Sequence, residues 1–177
     1  MRFISEKKAL AKLQNVKNTF AEAIRKGFGH RAKSCSTCST PGACCLDEHF
    51  VNVRITRLEA AAIGQRLDQL SPEHREAVYS RIDDAIEKYQ LTEGDEANSR
   101  TYACPLFEKG VGCLAHEYGK PLPCIAHACY ERKEDLPPDE LLTEREIEVD
   151  KLNERVYGKP TRSLPLPVAI QRIVGHG

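Results

Sequence analysis

The chain has 177 residues, 26 Lys+Arg against 26 Asp+Glu, 41% hydrophobic residues, eight Cys and no Trp. That length suits one domain with short extensions, and a zero formal net charge excludes a strongly basic nucleic-acid binder and a highly charged disordered chain. Eight cysteines in so balanced a chain are the feature from which function can be argued.

The first residues carry Arg2, Glu6, Lys7 and Lys8 where a secretion signal needs an apolar run. No stretch approaches the roughly 20 apolar residues of a membrane span. There is no Asn-x-Ser/Thr acceptor either, so the expectation is a cytoplasmic chain with no membrane attachment. In that reducing setting clustered cysteines more often bind metal or do redox work than form structural disulfides.

Residues 6–27 predict a helix, capped by Ser5 and apolar at Leu10, Leu13, Val16, Phe20 and Ile24, a helical recurrence. Cys35, Cys38, Cys44 and Cys45 follow among Ser, Thr, Pro and Gly, the composition of a loop. The alternation in residues 50–55 predicts one short strand. Thr56 and Glu59 form a capping box that opens a helix to about residue 67, and Ser71 with Pro72 opens another, with Val78, Ile82, Ala85, Ile86 and Tyr89 on one face. Residues 92–103 are polar and break the pattern. The second cysteine region, 104–129, contains three Gly and three Pro, which forbids long regular structure. An acidic helix then follows Pro137 and Pro138 and ends near Tyr157, with Gly158 and Pro160 as stop signals. The tail predicts an extended segment at Leu164 to Pro167 and a short apolar turn at 168–174.

The first cluster reads Cys-x2-Cys-x5-Cys-Cys, and a Cys-x2-Cys turn lets two thiolates face one ion. The second is Cys104-x8-Cys113-x10-Cys124-x4-Cys129. Eight thiols fit two four-cysteine sites, or one site with additional thiols. His116 and His127 lie within the second cluster as further ligand or supporting candidates, although eight thiols already suffice and exposed loop histidines are the simpler reading. Neither loop has enough apolar residues to fix its own conformation, which makes a metal the economical ordering agent.

The order of these motifs resembles the zinc- or iron-chelating cysteine-cluster family of bacteria. That pattern runs from Cys-x2-Cys and Cys-Cys through a short strand into Thr-x-x-Glu-Ala, then Cys-Pro, Gly-Cys and a basic residue followed by Pro-x-x-Cys. The matching residues are Cys35, Cys38, Cys44, Cys45, Thr56, Glu59, Ala60, Cys104, Pro105, Gly112, Cys113, Lys120, Pro121 and Cys124. Lys120 stands where the family usually has Arg. The resemblance implies a metal-binding protein and brings no particular reaction.

The expected fold is therefore mainly α: a small helical domain with irregular cysteine-rich loops around a metal centre and at most one or two short strands. Its segments are a basic helix at 1–34, a cysteine core at 35–130, and an acidic helix with tail at 131–177. The expected function is a metal-binding protein whose ligand pool is Cys35, Cys38, Cys44, Cys45, Cys104, Cys113, Cys124 and Cys129. An iron–sulfur cluster there implies electron transfer or a redox step, and Zn²⁺ a closed structural module for protein interaction. A metal-free thiol switch is the third class. Residues 1–34 hold nine Lys/Arg against two Asp/Glu. That helix is expected to be a solvated face lying against the acidic one, with a protein partner conceivable and nucleic acid disfavoured by the scarcity of aromatics.

Overall fold

The computed structural model describes residues 2–33, 38–49, 51–94, 99–158, 160 and 162–174. Cys35 and Phe50 lie outside them. Along the chain run α1 (Glu6–Gly27), β1 (Ala32–Lys33), α2 (Ala43–Leu46), β2 (Arg54–Ile55), α3 (Arg57–Leu67), α4 (Pro72–Tyr89), β3 (Phe107–Glu108), β4 (Gly112–Cys113), α5 (Leu122–Ala126), β5 (Cys129–Tyr130), α6 (Asp139–Tyr157), β6 (Leu164–Pro165) and α7 (Leu166–Val174). The architecture is mainly helical, as the sequence predicts. The strands are antiparallel pairs, β1 with β5, β2 with β6 and β3 with β4. Each strand is two residues long, too short to leave an alternation in the sequence, so only β2 was legible, at the end of the 50–55 run.

The chain divides into two compact units that interleave in sequence. One comprises Met1–Pro41 and Lys120–Thr161, the other Gly42–Gly119 and Arg162–Gly177.

In the first unit α1 starts where Ser5 Oγ accepts the Lys8 N–H at 3.4 Å. It buries Ala9, Leu10, Leu13, Val16, Phe20 and Ile24, a stripe at helical spacing, and packs against α5 and α6. α6 contributes buried Val149 and Leu152 and ends at Gly158 in the left-handed conformation, φ 82°, which a glycine adopts without steric penalty. The basic helix thus lies against the acidic one, as expected. Tyr157 Oη donates to Glu6 Oε2 at 2.6 Å, and the Ile4 N–H reaches the Arg155 carbonyl at 3.1 Å.

In the second unit α3, α4 and α7 enclose the core, where Ile63, Leu67, Val78, Ile82, Leu166 and Ile170 are all but inaccessible. The capping box at Thr56 and Glu59 is formed on both sides, and Ser71 caps α4 through the His74 N–H. One sequence expectation is corrected in part. The tail is extended at β6, Leu164–Pro165, but from Leu166 onward it is a nine-residue helix, α7, rather than further extended chain and a turn. Pro165 ends the short β6 and Pro167 falls in the first turn of α7, where a missing N–H removes no helical hydrogen bond. The polar 92–103 stretch also contributes to the core. Tyr102 is fully buried, its Oη donating to the Val53 carbonyl and accepting the Leu166 N–H at 3.2 Å. That side chain joins β2, α7 and the approach to Cys104.

Candidate metal centre

The two units sort the cysteines evenly. Cys38, Cys124 and Cys129 belong to the first, whose sequence also holds Cys35, and Cys44, Cys45, Cys104 and Cys113 belong to the second. The seven described cysteines are thiols, each partly accessible.

In the second unit four separate features build one thiol neighbourhood. Gly42, at φ 84°, turns the chain into α2, and its amide carbonyl accepts the Cys45 and Leu46 N–H groups. α2 carries Cys44 and Cys45. The Cys104 N–H then donates to the Cys45 carbonyl at 2.7 Å, joining the two cysteine loops by backbone. Cys104 opens a tight turn in which its carbonyl accepts the Phe107 N–H at 3.3 Å, and Cys113 opens a second in which its carbonyl accepts the His116 N–H at 3.0 Å. The β3–β4 pairing sets Phe107 opposite Cys113, so the second and third cysteine-bearing turns share one hairpin.

The electrostatics report that proximity. Burial pushes the Cys45 thiol up to about 12, and the neighbouring Cys44, Cys104 and Cys113 add to the effect, Cys44 also by hydrogen bond. The Cys45 thiol thus resists ionisation beside its neighbours, because like charges in one site disfavour the charged form. A divalent cation or a cluster core reverses that balance and takes the thiolate form outright. Among the described residues no three Cys, His, Asp or Glu side chains are gathered tightly enough to hold a metal ion between them. The neighbourhood is thus a set of thiols of the right chemistry, within electrostatic reach but not closed on one point.

In the first unit Cys124 sits in α5 and Cys129 in β5, where it pairs with Lys33. Lys33 is held above its ordinary value, chiefly by its hydrogen bond and ion pair with Glu131, with a smaller contribution from Cys129. Cys38 lies in the loop before Gly42, and His116 and His127 carry exposed side chains.

Two carboxylates beside the second unit's cysteines were not legible in the sequence. Glu48, three residues after Cys45, accepts from Lys88 Nζ at 2.8 Å and Tyr89 Oη at 2.7 Å. Glu108, on β3, accepts from Arg81 Nη2 at 2.5 Å and lies 2.8 Å from His74 Nε2. A carboxylate can only accept, so that imidazole nitrogen carries the proton. Arg81 Nε also donates to the Pro105 carbonyl at 3.1 Å. The signal that could have found these contacts is the seven-residue spacing of His74, Arg81 and Lys88, which puts them on one face of a helix.

Compared with protein-family models, with curated proteins and with solved structures, the chain matches none. Among the described residues no helix is long and apolar enough to cross a membrane.

Proposed function

We propose that this chain is a thiolate metal-binding protein that carries one four-cysteine set in each compact unit, with Cys44, Cys45, Cys104 and Cys113 as the better-defined set and Cys35, Cys38, Cys124 and Cys129 as the other. The observation that carries the reading is the backbone bond from the Cys104 N–H to the Cys45 carbonyl, 2.7 Å, together with the hairpin that sets Cys113 opposite Phe107, which gather the cysteine turns of the second unit. Its four thiols arrive from α2, the turn at Cys104 and the strand β4, each only two to four residues long. Such turns gain order when a metal ties their side chains together. The resemblance of the motif order to the zinc- or iron-chelating cysteine-cluster family supports the same reading.

The metal decides the role. A four-thiolate iron–sulfur cluster supplies one-electron chemistry, which makes the protein an electron carrier or the redox component for a partner protein. Zn²⁺ held by four cysteines has no open position and supplies structure alone, which makes the protein an interaction module. What the chain itself contributes is the same in both cases: it holds four thiolates in a partly dry setting and keeps the turns that bear them together.

The test is purification without oxygen, followed by the visible absorption spectrum and measurement of bound iron, acid-labile sulfide and zinc. Brown protein with stoichiometric iron and sulfide identifies the electron-transfer form. Colourless protein with stoichiometric zinc identifies the structural form. Folded protein with neither overturns the metal reading and leaves the thiol switch.

A further inference from the structure

α4 buries Val78, Ile82 and Ala85 in the core, so its opposite positions are available to the loops. His74, Arg81 and Lys88 recur every seven residues, about 10 Å apart along the axis at 1.5 Å per residue. The cysteine loops meet this row through carboxylates. Glu48 takes Lys88 and Tyr89 at one end, and Glu108 takes Arg81 and His74 further along. Glu48 follows the Cys44–Cys45 pair, whereas Glu108 lies on the hairpin that links Cys104 to Cys113. Arg81 grips that hairpin twice, at the Glu108 carboxylate and at the Pro105 carbonyl.

The two grips differ in strength. Glu108 is the more enclosed, its side chain 15% exposed, while Glu48 is 44% exposed and its partner Lys88 64%. An exposed pair is screened by water and holds little; a charge-assisted hydrogen bond from a guanidinium to an enclosed carboxylate is stronger, and Arg81 adds a second contact at the Pro105 carbonyl. The hairpin is therefore the more firmly set of the two loops. The Cys44–Cys45 turn is brought to it by the backbone bond from Cys104 to Cys45 and steadied by Glu48.

We propose that α4 is the template of the second unit's thiol set, with Glu108 and Arg81 as its principal positioning residues and Glu48 and Lys88 as the secondary pair. They act by fixing where the cysteine turns lie and touch no metal themselves. This rests on the metal reading above, but its geometric part concerns the thiols alone.

The experiment uses the full chain with Glu108→Gln, Glu48→Gln and Arg81→Lys. Thiol proximity is read in the metal-free protein by cross-linking with dibromobimane and peptide mass mapping between the Cys44–Cys45 peptide and the Cys104–Cys113 peptide. Metal binding is read with Co²⁺ through its thiolate charge-transfer absorption, and helical content by circular dichroism. Glu108→Gln is expected to keep its helical signal, to cut the cross-link yield several-fold, and to weaken Co²⁺ binding about 10–100-fold, the usual loss for an outer-sphere support. Glu48→Gln is expected to do so to a smaller extent. Arg81→Lys keeps the charge but gives up the paired contacts to Glu108 and the Pro105 carbonyl, and its intermediate loss separates docking of the hairpin from folding of α4. Wild-type yields and affinities in Glu108→Gln and Arg81→Lys overturn the proposal, as does a wild-type chain that gives no cross-link between the two peptides. A wild-type chain that takes up no Co²⁺, but whose cross-links still fall in Glu108→Gln, supports the template and overturns the metal reading alone.

Discussion

Gly42 turns the chain into α2 immediately ahead of Cys44 and Cys45. Its φ of 84° is one that side chains rarely adopt, and a Cβ there would stand 1.9 Å from Phe107 Cζ. The ring of the hairpin therefore lies directly on the backbone that begins α2. Gly42→Ala is expected to destabilise the protein by about 2–4 kcal/mol, combining left-handed strain with overpacking, measured as a lower urea midpoint at unchanged slope. A wild-type midpoint would show that the contact between loop and hairpin contributes nothing. In the sequence Gly42 reads only as a turn former beside Pro41. Its close approach to Phe107 depends on a residue far along the chain, and no local pattern records that. Thr56, Glu59, Ser71 and Gly158 were legible because capping is settled within four residues.

The long helices were readable from their caps: α1, α3 and α4 start where Ser5, Thr56 and Ser71 place them, and α6 stops at Gly158. The short pieces between them were not, because two residues of strand or four of helix are fixed by partners rather than by propensity. The hairpin β3–β4 is the clearest case: its position depends on Arg81 and His74 of α4. That dependence gives a pH signature. Burial pushes the Glu108 carboxyl up, but the hydrogen bonds from His74 and Arg81 and their charges outweigh it and hold the group below its ordinary 4.5. A depressed carboxyl contributes stability that is complete above its unfolded value and is lost as pH falls through the folded one. The metal-free protein should therefore lose this increment below about pH 4.5. Urea titrations at stepped pH should show a steeper acid loss for the wild type than for Glu108→Gln. Equal acid slopes would mean that the clasp does not hold the hairpin.

At the scale of the whole molecule, composition cuts a chain into consecutive pieces, whereas packing does not. The basic start, the cysteine region and the acidic end were visible as segments, but not that 1–41 folds with 120–161 and 42–119 with the tail. The reason is physical: α1 buries its apolar stripe against α5 and α6, and α7 fills the groove between α3 and α4, so each unit is closed by an element from the far end of the chain. This interleaving assigns Cys38, Cys124 and Cys129 to one unit and Cys44, Cys45, Cys104 and Cys113 to the other. The cysteines were plain in the sequence; their distribution between the units was not. Were the proposed sets filled with Zn²⁺, each would add a net charge of about −2 to the zero formal charge. The most direct test is the mass of the anaerobically purified, full-length chain under non-denaturing conditions, beside that of Cys104→Ser. The wild type is predicted to carry two bound metal centres and Cys104→Ser one, the loss falling on the set that contains Cys44, Cys45 and Cys113. A folded wild-type chain at its bare sequence mass, or a Cys104→Ser variant that holds as much metal as the wild type, would contradict the account.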